Sequence, residues 1–99
     1  MLYVINGRDT EDSLPARAGA REQHLGRIRA LVEEGRLVLA GPMPAIDAEE
    51  PGPAGFSGSL IVAEFDSLID ARTWADADPY LASGAWASVE VRPFLQVLP

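Results

Sequence analysis

The sequence predicts an α+β chain: a ferredoxin-like βαββαβ plait, with a four-stranded antiparallel sheet and both helices on one face. Three observations predict it. Four short runs rich in strand formers are spread over 99 residues. A long amphipathic helical stretch separates the first two runs, and a shorter one separates the last two, which is the order of two successive βαβ units. The second and third runs are apolar on both sides, so the sheet face away from the helices is not expected to be wet. A second copy packed sheet to sheet is the simplest cover, and a twofold dimer is the commonest closed assembly.

The elements follow in order. Leu2 to Asn6 is apolar and strand-like, and Gly7 reads as its end. Arg8 to Ser13 is polar and loop-like. Asp12 or Ser13 can cap the helix that follows, and Pro15 suits its first turn. Gly35 stops that helix at a C′ position. On a wheel of about 100° per residue, Leu25, Leu31, Val32 and Gly35 fall within roughly 60° of Ile28. Arg17, Arg21 and His24 fall in the same sector, whereas Glu22, Gln23, Arg27, Arg29, Glu33 and Glu34 face away. The inward face is therefore polar in its N-terminal half and apolar in its C-terminal half. Either the helix overhangs the core there, or it delivers two arginines and a histidine into a cavity.

Arg36 to Ala40 is the second strand. Gly41 to Ser57 is rich in proline and glycine and reads as a long loop, either a surface excursion or a flap over a site. Gly58 to Phe65 is the third strand. Ser67 and Asp70 form a capping box, so a second helix begins at Leu68. Asp78 precedes Pro79 and is pushed to extended geometry. Pro79 starts a short turn that runs to Ser83 and stops at Gly84. The fourth strand lies within Trp86 to Leu98, and Pro93 places it at an edge, at a bulge or at a bend.

Composition narrows the function classes. The length suits one domain over residues 1–99, and a hydrophobic fraction of 47% argues against disorder. No apolar run approaches the ~20 residues that span a bilayer. The N-terminus lacks the basic and small-residue signature of a signal peptide, so a cytoplasmic protein is expected. A net charge of −7 repels phosphate backbones and disfavours nucleic acid as a partner. All eight basic residues are arginine, which excludes Schiff-base chemistry on a lysine and any P-loop. Without cysteine there is no disulfide, thiolate nucleophile or Cys-ligated metal, and one histidine excludes a His-rich metal site in a single chain.

What remains is one histidine, the carboxylates, the arginines, two tyrosines and a few hydroxyls. His24 is the acid–base candidate because imidazole titrates near neutrality; the plainer alternative is a helix-face histidine satisfied by a neighbouring oxygen. Asp78 either caps the Pro79 turn or orients His24 as the carboxylate of a triad does. Arg17 and Arg21 either form an anion-binding strip or snorkel over the end of the core. Tyr80 lines a site or packs. Ser59 has no base beside it in sequence. Trp74 and Trp86 read as core or interface anchors.

Several stretches carry a family resemblance: the opening MLYVI, the R-x-x-H of Arg21 and His24, EEGRLVLAGPMP at 33–44, GFSGS at 55–59, WADADPY at 74–80 and VEVRPF at 89–94. Together they span nearly the whole chain, and in this order it resembles the YciI-like (YCII-related) family of small bacterial proteins. The resemblance implies a fold of the dimeric α/β-barrel type and a homodimer. It also implies a His–Asp pair, whose positions fall on His24 and Asp78. Relatives of that family include muconolactone-isomerase-like proteins and a dehydrochlorinase acting on a chlorinated hydroxyhydroquinone.

Two functions are expected from this. The first is a small enzyme, free of cofactor and metal, performing proton transfer or elimination on a small anionic or phenolic ring compound. His24 is its acid or base, Asp78 its orienter and Arg21 its anion holder, while Ser59 and Tyr80 line the pocket. The second is a non-catalytic module of the same fold that binds a small anion or another partner.

Overall fold

Alternation in the first strand sets the layers. Tyr3 and Ile5 are buried on one face, while their neighbours Leu2, Val4 and Asn6 are only half-buried. The computed structural model describes residues 1–99. Its elements are β1 (Leu2–Asp9), α1 (Leu14–Glu33), β2 (Leu37–Pro44), a single 3₁₀ turn at Gly52–Ala54, β3 (Phe56–Glu64), α2 (Leu68–Asp76), α3 (Pro79–Ala82) and β4 (Trp86–Phe94). The sheet order is β2-β3-β1-β4, and every neighbouring pair is antiparallel. Tyr3 and Ile5 of β1, Ile61 and Ala63 of β3, and Val89 of β4 share one core with Ala20, Ile28 and Leu31 of α1 and Ala71 and Ala75 of α2. This is the ferredoxin-like plait.

Two strands run further than the sequence suggests. β1 continues past Gly7 to Asp9. Gly7 does not end the strand; it makes room for the Trp86 indole, and a Cβ there would lie 2.2 Å from Trp86 Cε2. β2 runs through Pro42 and Pro44, which pair with Ser59 and Phe56. β2 is an edge strand, where a missing N–H is tolerated. The loop expected over 41–57 therefore shrinks to residues 45–55. β4 is the other edge, with Pro93 opposite Tyr3.

The helix ends follow local chemistry. Gly35 takes φ +71°, and Arg36 N–H reaches back to the Leu31 carbonyl at 2.9 Å. Ser67 Oγ accepts from Asp70 N–H at 3.1 Å, as the capping box requires. Ser13 occupies the N-cap position of α1 but makes no cap bond; its hydroxyl donates to the Asp9 carboxylate instead.

The buried residues of α1 are Arg17, Ala20, His24, Ile28 and Leu31. Their mean direction lies roughly 40° to one side of Ile28 on a helical wheel. That rotation turns Val32, expected inside, out to 56% exposure. It also brings the opposite flank, with Arg27, toward the core. On the far side of the sheet Leu39 and Met43 of β2 stand open, at 48% and 36% exposure. No helix is long and apolar enough to cross a membrane.

Candidate functional site

α1 lies across β2 and β3 without closing on them along its N-terminal half. The gap is a cavity of about 470 Å³ between the helix, the two strands and Tyr80 of α3. Arg17, Arg21, His24, Ser59 and Tyr80 supply its polar lining; Leu25, Ile28, Leu37 and Ile61 supply an apolar end. No carboxylate lines it. The strand residues Gly41, Pro42 and Phe56 form part of the wall, whereas the 45–55 loop contributes nothing to it, so the flap expected over the site is not formed by that loop.

His24 and Asp78 meet. The imidazole Nδ1 lies 2.9 Å from Asp78 Oδ1 and 3.0 Å from Oδ2, and both side chains are buried. A carboxylate only accepts, so Nδ1 is the protonated nitrogen and Nε2 is the one that can hold a lone pair. No protein group bonds to Nε2. The Tyr80 ring stacks on the imidazole at 3.9 Å and 11°, and Trp86 meets it edge-on at 5.6 Å. Stacking and the bidentate contact fix the ring plane.

Asp78 makes contacts on both sides. Its Oδ1 accepts the Tyr80 N–H at 2.9 Å and so caps α3, while the same carboxylate holds His24. Pro79 at the first helical position sets the extended backbone of Asp78, at ψ 132°. The short α3 thus aims the carboxylate and, two residues on, the Tyr80 ring.

Behind Asp78 stands a residue that the sequence pattern placed outside. Arg27 Nη1 lies 3.7 Å from Asp78 Oδ2, its Nη2 donates to the Trp74 carbonyl at 2.7 Å, and its guanidinium lies 4.3 Å from the centre of the Trp74 ring. Burial lowers the Arg27 pKa below the ordinary arginine value, and Asp78 opposes that shift. Arg27 Nη1 is buried without a hydrogen-bond partner. The only sequence signal for it was the length of an arginine side chain at the flank of a buried stripe.

The two arginines of the strip differ. Arg17 is buried and bonded through Nε and Nη2. Its Nε and Nη2 donate to Asp9 Oδ2 and Oδ1 at 2.7 and 2.8 Å, and Nη2 also reaches the Gly58 carbonyl at 3.0 Å and Ser59 Oγ at 2.9 Å. Ser59 is therefore bonded to Arg17 and not to His24. Arg21 is exposed at the mouth of the cavity and makes no ion pair or hydrogen bond within the chain. The side chains do not form any group of three or more His, Cys, Asp or Glu suited to a metal ion.

Tyr80 is a neutral donor. Burial raises its pKa above the ordinary phenol value; Arg17 and Arg21 pull it back, and Asp78 adds to the rise. A raised folded-state pKa stabilises the fold below the unfolded value of about 10 and loses that contribution as pH climbs past it. Ultraviolet titration should therefore show a phenolate step above pH ~10 that is absent in Tyr80→Phe, with stability falling over the same range. A Tyr80 midpoint below 10 would contradict this. Tyr3 is the only other tyrosine, so the difference between wild type and Tyr80→Phe isolates Tyr80.

Comparison with known proteins decides the family. The profile of the YCII-related domain matches residues 1–95. The chain belongs to the YCII-related family. This YCII-related chain is 55% identical over 97 residues to Protein YciI of Escherichia coli O6:H1, covering 98% of this chain and 99% of that one. It is 48% identical to an uncharacterized protein of Haemophilus influenzae, again over 98% and 99% of the two chains. Among solved structures, the YCII-related fold is similar to 5-chloro-2-hydroxyhydroquinone dehydrochlorinase TftG of Burkholderia phenoliruptrix AC1100, in complex with 2,5-dihydroxybenzoquinone. The TM-score is 0.82 at 22% identity, over 96% of this chain and 94% of that one. At that identity the likeness is one of fold, the α+β plait of the dimeric α/β-barrel type.

Proposed function

We propose that the chain is a small enzyme using His24 and Asp78 for proton transfer or elimination on an anionic or phenolic ring compound, without a cofactor. One observation carries the reading: His24 Nδ1 is anchored on a buried carboxylate, which leaves Nε2 as an unpartnered base at a cavity. Asp78 holds the tautomer and stabilises the imidazolium that forms when Nε2 takes a proton. Arg21 holds an oxyanion of the substrate, Tyr80 offers a neutral phenol, and Ser59 lines the wall.

In an elimination, Nε2 takes one proton from the ring compound and a halide or other anion leaves with its bonding pair. The dehydrochlorinase with the same fold supports this reaction class. The reading includes a homodimer, supported by the apolar side chains left open on β2.

The test is chloride release from 5-chloro-2-hydroxyhydroquinone and a panel of halogenated hydroquinones and phenols, followed with the purified chain. Turnover that depends on His24 is expected on at least one of them. Chloride release at the uncatalysed rate across the panel would reject elimination, and turnover that His24→Gln leaves unchanged would reject the His–Asp base.

A further inference from the structure

Charge pairing within the site goes further than the ring-compound reading and rests on it for the location of the ligand. The chain carries a net charge of −7, yet the cavity wall holds two arginines and a histidine and no carboxylate. These cations are not equivalent. Arg17 is matched by Asp9 at 2.7 Å. Arg27, behind the wall, is matched by Asp78 at 3.7 Å. His24 already faces the Asp78 carboxylate at 2.9 Å, which leaves Arg21 as the one cationic side chain at the cavity without an anionic partner. The other polar groups of the lining, Tyr80 and Ser59, are hydroxyls and add hydrogen bonds without charge.

The other end of the cavity has the opposite character. From Arg21, α1 advances about 10 Å along its axis to Ile28. Over that length the facing strand residues change from Ser59, bonded to Arg17, to Ile61 and Leu37. A charge placed there would face Leu25, Ile28 and Ile61 with nothing to pair it, and burying an unpaired charge is strongly unfavourable.

We infer that the cavity takes an amphipathic monoanion: one carboxylate or phenolate oxygen at Arg21, and an uncharged apolar body laid along α1 toward Ile28. A second charge at the far end of the ligand is selected against, and the charge preference is set by Arg21, not by the buried Arg17.

Three probes of similar size separate the terms: 4-ethylbenzoate, terephthalate and 4-ethylbenzamide. Binding is measured by calorimetry and by the imidazole resonances of His24, the only histidine. 4-Ethylbenzoate should bind at least about 10-fold tighter than either of the others, the scale of one charge-assisted hydrogen bond. In Arg21→Gln the advantage over the amide should vanish while terephthalate stays weaker than 4-ethylbenzoate, and Arg21→Lys should retain most of the advantage. Terephthalate binding as tightly as 4-ethylbenzoate, or an unchanged preference in Arg21→Gln, overturns the inference and leaves the His–Asp reading standing. The expected preference without turnover of any halogenated ring compound supports the inference and removes the elimination reading instead. Binding of none of the probes at millimolar concentration overturns the inference.

Discussion

His24→Gln is expected to lower turnover by about 10²–10⁴-fold, the usual contribution of a positioned general base. Glutamine keeps a donor for Asp78 and most of the side-chain volume, so the variant should stay folded. Asp78→Asn should lower turnover comparably by a different route. An amide in place of the carboxylate no longer requires the proton on Nδ1, and it cannot offset the charge of an imidazolium. The two groups act as a unit, so the double variant should be no slower than the worse single one within a few-fold. Rates would be compared on whichever ring compound the wild-type chain turns over, with urea midpoints confirming that each variant is folded. Losses that multiply in the double variant would show that the two residues act separately.

Asp9→Ala is the second large effect, and it concerns stability. The Arg17 side chain is 9% exposed and that of Asp9 only 1%. Removing the carboxylate strands a buried guanidinium that keeps only Gly58 O and Ser59 Oγ as acceptors. Breaking a buried pair from one side costs about 3–5 kcal/mol, a large share of the 5–15 kcal/mol typical of a domain. Asp9→Ala combined with Arg17→Leu should recover much of that loss, because two apolar groups leave no charge unpaired. Urea unfolding of the three variants measures this. A single variant within about 0.5 kcal/mol of wild type would mean that Arg17 turns out to water when its partner is gone.

The plait was legible because strand alternation, the Gly35 stop and the Ser67 capping box are local signals, and each operates locally in the structure. The extent of β2 was not. Pro42 and Pro44 argue for a loop until the strand is known to lie at the edge, and the sheet order is not a property of any one segment. Gly7 misled for a similar reason: its lack of a side chain serves Trp86, nearly eighty residues later.

The site was legible in its parts and not in its pairings. His24 and Asp78 lie far apart in sequence: residue chemistry offered their pairing as one of two readings of Asp78, and the family resemblance pointed to it. The helical wheel put Arg17 and Arg21 on one stripe but could not tell which one Asp9 would hold, because Asp9 was read as loop. A helix turned by roughly 40° also moved Arg27 from the outer face to the back of Asp78. Periodicity fixes the width of a buried stripe better than its centre.

The prolines at the two rims of the sheet have a consequence for how the chain meets its own copies. Pro42 and Pro44 on β2, and Pro93 on β4, remove amide donors from both outer strands. A neighbour's strand laid alongside either rim meets an interrupted ladder, so fibril-like growth by strand addition is hindered in both directions. Self-association is left to side chains on the broad surface of the sheet, where closure into a finite particle is geometrically possible.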